Sequence, residues 1–451
     1  MIASLLLASC VALLARDEVT DPVHGAKIDA IVAAAMARQP IPGVAVAVLE
    51  QGRLTHAKGY GFADLEHDVP MRSDSICRIA SITKQFTAAA ILCLVEQGRV
   101  KLDDPLSKYV AGFGEIGDQA TVRQLLNHTS GITDFTSIGK AWNDVEQLDL
   151  APDRVMDLVR KQPKAFAPGT QWAYNNGGYF LLGMVIEKVA GKSYADYLEH
   201  DLLAETGLAD TRYGDDQRIL KRRAQGYRLV DGVLMNDPLK SMTHPFAAGA
   251  IVSTVVDLVR WSEMLAAGSV VSDASYAEMT APGVLASGAP TGYGFGLFVG
   301  EIDDQKAIWH GGGIHGFSSH LAHYVDADVH VAVLANGDFA RVKDVGREVA
   351  QAVLGVARAE VKDLPLCQEE SDACSGKYAG VGMTALVRAD GKTLTITPQG
   401  QATMRLKSQG ERRFVADVPV EVTLEFDRAA TPAAHFILRQ GGRKAKFERV
   451  K

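Results

Sequence analysis

Ser81-Ile82-Thr83-Lys84-Gln85-Phe86-Thr87-Ala88-Ala89-Ala90-Ile91-Leu92-Cys93-Leu94 is the stretch on which the reading of this chain turns. From Gln85 to Leu94 it is an apolar helical run, and the helix is expected to begin at or just before the serine. A serine at the head of a helix exposes its Oγ and leaves its backbone N–H free to donate. Lys84, three residues on, returns to the same face one turn later. A single turn then holds a nucleophile, an amine able to accept a proton and a fixed backbone donor. Acyl transfer through a covalent serine needs those parts.

Ser-x-x-Lys alone is a weak signal, because both residues are common. A second copy, Ser137-Ile138-Gly139-Lys140, contains a glycine, lies among turn residues after Gly131 and opens no apolar helix; it reads as chance. The first copy gains weight from two elements that follow it in order, Tyr174-Asn175-Asn176 and His310-Gly311-Gly312-Gly313. Neither the Tyr-x-Asn nor the His-x-Gly pattern recurs. A protonated Lys84 cannot accept the serine proton, so burial must lower its pKa or Tyr174 must share the work as a phenolate stabilised by the lysine. Asn176 can offer its amide to Lys84 and to a substrate. The glycines after His310, Gly312 among them, let the backbone approach a ligand, so the N–H groups of Gly313 and Ser81 are expected to form an oxyanion hole. His310 is expected beside the nucleophile, as a hydrogen-bond donor or a substrate-orienting group.

The 451 residues suit one large domain plus a smaller module. The net charge of −7 is well mixed and forms no basic stripe, so nucleic acid is not an expected partner. No apolar run reaches the length of a membrane span. Residues 2–14 are apolar and look like the core of a secretion signal without its basic start. Leu7-Ala8-Ser9-Cys10 resembles a lipoprotein cleavage box, which would place a lipid anchor at Cys10. Export to the periplasm or beyond is the expectation, with a misassigned start and a cytoplasmic protein as the alternative. Cys77 and Cys93 are expected as buried thiols, and Cys367 and Cys374 as either a local disulfide or two exposed thiols. His315, His320 and His323 alternate along an expected strand and supply no three-ligand face, so neither a metal nor a cofactor is expected. His128 reads as a fold landmark.

Residues 1–25 form the leader-like segment. An amphipathic helix is expected over 26–37, then a hairpin of strands 44–50 and 53–60 turning at Gln51-Gly52. The centre, from Ser81 to about Ala266, is helical, with amphipathic segments at 121–126, 154–161, 177–190 and 255–266. Strands return at 294–299, 306–310, 317–324 and 329–335, and a helix over 343–354 closes the region. Strands at both ends with helices between them imply an α+β domain over 26–355, an antiparallel sheet flanked by helices and packed with a helical lobe. A cleft between sheet and lobe is the natural site. Residues 356–375 read as a polar linker. Residues 376–451 carry short strands at 385–388, 393–397, 413–416, 422–426 and 435–438, which suggests a small antiparallel β-barrel or sandwich.

The order Ser81-x-x-Lys84, Tyr174-x-Asn176, His310-x-Gly312 resembles the penicillin-recognising serine hydrolases, in the class C β-lactamase-like branch that also holds DD-peptidases, D-aminopeptidases and carboxylesterases. The resemblance spans about 28–355 and includes Leu102-Asp103-Asp104-Pro105, Leu125-Leu126-Asn127-His128-Thr129-Ser130-Gly131, Pro168-Gly169-Thr170 and Gly316-Phe317-Ser318-Ser319. It implies a β-lactamase/transpeptidase-like fold in which Ser81 is acylated, Lys84 and Tyr174 form the general-base system, Asn176 holds the substrate amide, and Ser81 and Gly313 form the oxyanion hole. His310 departs from the lysine that most β-lactamases and many transpeptidases carry, whose charge helps to hold a substrate carboxylate. A neutral imidazole does this poorly. His-x-Gly is similar to D-aminopeptidases, some of which also carry a C-terminal β-barrel. The expected protein is therefore a serine hydrolase of small amides or esters, with a D-residue peptide ahead of a simple ester. β-Lactamase or DD-carboxypeptidase activity is the alternative within the class, and a catalytically silent cell-wall peptide-binding protein the alternative outside it.

Overall fold

The computed structural model describes residues 18–238, 241–356, 361–380, 383–390, 393–417, 422–440 and 443–450. Cys10 and the apolar 2–14 segment lie outside the described residues. The chain divides into two compact units, residues 1–299 with 307–355, and residues 300–306 with 356–451.

In the first unit the strand Gly43–Glu50 is buried from Gly43 to Leu49. That explains its unbroken Val/Ala/Leu composition, since a strand covered on both faces has no polar side. Gln51 and Gly52, at φ 48° and 78°, turn it into Arg53–Asp64. On its other edge it pairs antiparallel with Val329–Ala335, in a register running from Val44↔Ala335 to Glu50↔Val329. The sheet thus runs Val69–Pro70, Arg53–Asp64, Gly43–Glu50, Val329–Ala335, Phe317–Tyr324, Gln305–Ile314, Phe298–Ile302. Both ends of the unit meet in one sheet.

Ala45, Ala47, Leu49, Ala332 and Leu334 join the core beneath the helical lobe. On the opposite face Val333 meets Gly346 of the closing helix Val342–Leu354. The strand expected over 294–299 starts only at Phe298. Gly296 adopts φ 74° and presses so close to the Lys84 carbonyl that a Cβ would stand 2.6 Å from its oxygen, so the chain bends there instead of extending.

The helix Thr83–Glu96 buries eleven of its fourteen residues, the behaviour of a helix that is apolar all round. Phe86 stacks on Trp261 of Val255–Ala266 with ring centroids 3.9 Å apart. In the helix Asn176–Ala190, a Cβ on Gly183 would lie 2.4 Å from Phe246 and 2.5 Å from Ala247. Glycine there lets the short helix Phe246–Gly249 settle against its neighbours. No described helix is long and apolar enough to cross a membrane.

The second unit closes eight strands into a barrel, from Gly376–Gly380 round to Arg443–Arg449. Gly376–Gly380, Met404–Gly410 and Arg443–Arg449 join the five segments legible as strands. Tyr378, Phe414, Phe426, Phe436 and Phe447 fill the interior, as the bore of an eight-stranded barrel allows. The stretch expected to be irregular contains the helix Gln368–Cys374, whose Ser371, Ala373 and Cys374 are buried. Arg449 ties it down by donating to the carbonyl oxygens of Ala373 and Ser375. Cys367 is exposed and Cys374 buried, both free thiols. Seven residues of helix separate them by roughly 10 Å, too far for a disulfide. Cys77 is buried and Cys93 half-buried, also as free thiols.

Candidate active site

Ser81 lies in a 3-10 turn, Ala80–Ile82, that leads directly into the helix Thr83–Glu96. Ala80 just before it holds φ 48°, a left-handed conformation that a non-glycine residue keeps only under external restraint. The restraint is visible at Ile79. Its N–H donates to Ile251 O at 3.0 Å, and its carbonyl accepts from Ser319 Oγ at 2.7 Å. Ser319 belongs to the Gly316–Ser319 landmark, so that motif fixes the turn carrying the serine to the sheet. The second Ser-x-x-Lys is elsewhere: Ser137 Oγ donates to Asp134 O, and Lys140 pairs with Asp144.

The Lys84 side chain is fully buried, and three groups surround its Nζ: Ser81 Oγ at 3.2 Å, Asn176 Oδ1 at 2.9 Å and Ala248 O at 2.8 Å. Burial pushes its pKa down from 10.5 to about 7, against a smaller upward pull from Asp134. Asn176 is the first residue of its helix. The preceding Asn175 caps that helix, its side-chain oxygen accepting from Gly178 N at 2.9 Å.

Tyr174 is placed by His128. The His128 carbonyl accepts from Ala173 N–H, and its Nδ1 accepts from Asn175 N–H, both at 3.1 Å, so the two residues flanking the tyrosine hang on one histidine. Because a backbone N–H can only donate, His128 carries no proton on Nδ1. The Tyr174 hydroxyl is buried and forms no well-shaped hydrogen bond to any described residue. Burial raises its pKa well above that of a free phenol, and the neighbouring Ser81 hydroxyl pulls the other way. The phenolate considered from sequence is therefore disfavoured: the phenol stays neutral, and the amine becomes neutral as the pH rises through about 7.

Gly312 is required by packing, since a Cβ there would lie 2.3 Å from Ser319 Oγ and 2.4 Å from Ile79 O. Gly313 faces open space and lines a cavity of about 290 Å³ together with Ser81 and Asn176. Phe135, Trp142, Met242, Ala248 and Ile314 give its apolar wall, and Arg78, Glu146, His244 and His315 its polar positions. Arg78 is ion-paired with Asp216.

His310 lies against Tyr174 and Tyr293. It is 2 % exposed, and its Nε2 lies 3.0 Å from the Tyr293 hydroxyl while Nδ1 bonds Gly311 O. Its ring stands 6.0 Å from the Tyr174 ring. Sequence reasoning missed Ala248, whose contribution is a backbone oxygen, and the wall formed by Phe135, Trp142 and Met242. Isolated apolar residues in short turns and single-turn helices carry no signal that sets them apart from core.

A family model described as Beta-lactamase matches residues 28–354. Penicillin-binding protein 4* of Bacillus subtilis (strain 168) is 26 % identical over 437 residues, covering 90 % of this chain and 94 % of that protein. The D-aminopeptidase of Brucella ovis is 28 % identical over 322 residues; the match covers 71 % of this chain but only 61 % of the relative's length. Among solved structures, D-amino acid amidase from Ochrobactrum anthropi SV3, complexed with L-phenylalanine amide, superposes with a TM-score of 0.65 at 27 % identity, covering 73 % of this chain and 97 % of that one.

Proposed function

The chain belongs to the beta-lactamase family, and from that premise we propose that it is a serine hydrolase of small amides and peptides whose acyl-side residue has the D configuration. The observation that carries the reading is the set of three groups around Lys84 Nζ. A neutral amine has two N–H bonds and one lone pair. Asn176 Oδ1 and Ala248 O can only accept, so the lone pair is left for the Ser81 hydroxyl.

In acylation the Ser81 proton passes to Lys84 Nζ as Oγ bonds to the substrate carbonyl carbon. The resulting oxyanion lies between the N–H groups of Ser81 and Gly313, a pair worth roughly 3 kcal/mol per donor in comparable sites. Tyr174 gives its proton to the leaving nitrogen as the C–N bond breaks, and the proton on Lys84 restores the phenol. Water then attacks the ester, loses its proton to the same pair and releases the acid, returning the proton to Ser81 Oγ.

The D-residue preference rests on the likeness to a D-aminopeptidase and a D-amino acid amidase. The apolar wall of Phe135, Trp142 and Met242 suits an aromatic or aliphatic side chain, and the Glu146 carboxylate suits a free ammonium. His310 Nε2 is engaged by the Tyr293 hydroxyl at 3.0 Å, and histidine stands where many β-lactamases carry a lysine, which favours the amide over the lactam. The apolar 2–14 segment supports an exported enzyme, and N-terminal sequencing of the mature protein tests that placement. Turnover of D-phenylalanine amide, D-alanyl-p-nitroanilide, p-nitrophenyl butyrate and nitrocefin, with Ser81→Ala as control, tests the rest. The amides should lead and Ser81→Ala should abolish all turnover; amide hydrolysis surviving in Ser81→Ala refutes the mechanism.

A further inference from the structure

Far along the sheet from the catalytic serine, two histidines and an aspartate converge. His323 and His330 are cross-strand partners in the hairpin of Phe317–Tyr324 and Val329–Ala335. Their rings stack with centroids 4.0 Å apart, and Asp328, in the connecting turn, reaches both. Its Oδ1 lies 3.5 Å from His323 Nε2 and 3.3 Å from His330 Nε2. His323 shares a strand face with Ser319 and lies four residues further on, about 14 Å along the strand.

We propose that His323, Asp328 and His330 form a binding site for one divalent cation of the zinc class.

Geometry is the first argument. Ligand atoms at 2.0–2.1 Å around a tetrahedral ion are separated by roughly 3.4 Å, close to both nitrogen–oxygen distances here. The second argument is an unanswered polar group. His323 is 7 % exposed, its Nδ1 has no hydrogen-bond partner among the described residues, and its Nε2 has the long 3.5 Å contact with Asp328. A buried imidazole nitrogen without a partner can be satisfied by a ligand. The third is orientation: His330 Nδ1 lies 2.8 Å from Ser262 Oγ, an outer partner of the kind that holds a ligating imidazole so that Nε2 faces the ion.

The turn is anchored independently, since Gln51 N–H donates to Asp328 O at 2.9 Å. Asp328 stands at φ 51°, and its side chain is 54 % exposed, which leaves an entry path and room for water as a fourth ligand. The 11° between the ring planes must open on loading for both lone pairs to meet one ion. The bound cation would clamp this turn to the helix Val255–Ala266, away from the acyl-transfer site.

The full chain, stripped with a chelator, is titrated with Co²⁺ while the d–d absorption is followed. Zn²⁺, Mg²⁺ and Ca²⁺ are compared by thermal shift. One Co²⁺ per chain with tetrahedral absorption, displaced by Zn²⁺, and a rise in Tm with Zn²⁺ alone are expected. Asp328→Asn, at an exposed position that leaves the fold intact, and His323→Asn should each weaken binding by at least about tenfold, and Ser262→Ala by about 10- to 100-fold. Asp326→Asn on the same turn should change nothing. Absence of stoichiometric tetrahedral Co²⁺, or affinity unchanged in Asp328→Asn, overturns the proposal.

Discussion

The carbonyl oxygen of Ala248 lies 2.8 Å from the Nζ of Lys84 and takes one of the two N–H bonds that a neutral lysine amine can offer. Asn176 Oδ1 takes the other at 2.9 Å. With both donors committed, the lone pair has one remaining neighbour, the Ser81 hydroxyl. A backbone oxygen on a four-residue helix thus decides which way the Lys84 amine faces. Its approach depends on the missing side chain of Gly183.

Rate should follow the protonation of that amine. With the Lys84 pKa near 7, kcat/KM for an amide should rise with pH through about 7 and level off above it. The phenol, raised above its ordinary range, should cause no falling limb below about pH 10. An ascending limb centred near 10 would mean that Lys84 titrates like a lysine in water.

Tyr174→Phe separates the acid from the base. Its hydroxyl is needed where the leaving nitrogen must be protonated, so amide turnover should fall by roughly 10²- to 10⁴-fold. A p-nitrophenyl ester departs as a stable anion and should lose much less. Equal losses on both substrates would remove the tyrosine from leaving-group protonation.

Gly312→Ala and Gly313→Ala should behave differently although they are neighbours. At Gly312 the new methyl meets Ser319 Oγ and Ile79 O at under 2.5 Å and must displace the turn that bears Ser81. Overpacking of this kind costs about 1–3 kcal/mol, and labelling of Ser81 by a fluorophosphonate should slow with it. At Gly313 nothing lies within 4 Å, so thermal stability should hold while substrate KM changes. Equal drops in Tm would contradict the packing argument.

Much of this was legible before the structure, for physical reasons. The serine helix announces itself because a fully buried helix must be apolar all round, and the sheet because strands covered on both faces are unbroken runs of Val, Ala and Leu. Three barrel strands escaped. Met404–Gly410 alternates Met, Arg, Leu, Lys, Ser, a pattern too polar to stand out, yet Leu406 and Ser408 point inward. The orientation of His310 was hidden because Tyr293, seventeen residues away, decides it. The pairing of His323 with His330 follows only from strand register across a turn. In each case the deciding contact is tertiary, between groups whose spacing in the chain carries no period.

Lys84 also leaves a mark on stability, and its sign can be derived. In the unfolded chain the amine has its ordinary pKa of 10.5; in the fold it sits near 7. Between those values the unfolded state holds one proton more, so raising the pH favours the folded state by about 1.4 kcal/mol per unit. Below about pH 7 both states are protonated and the full penalty applies; above about 10.5 both are neutral and it has vanished. Lys84→Met removes the titration, while leaving Ala248 O and Asn176 Oδ1 without their donor at every pH. The stability difference between wild type and Lys84→Met, measured by urea unfolding, should therefore shift steadily in favour of wild type from pH 7 to pH 9, whatever its value at pH 7. A difference that stays flat over that interval would show that folding leaves the lysine pKa where it was, and the base would have to be sought elsewhere.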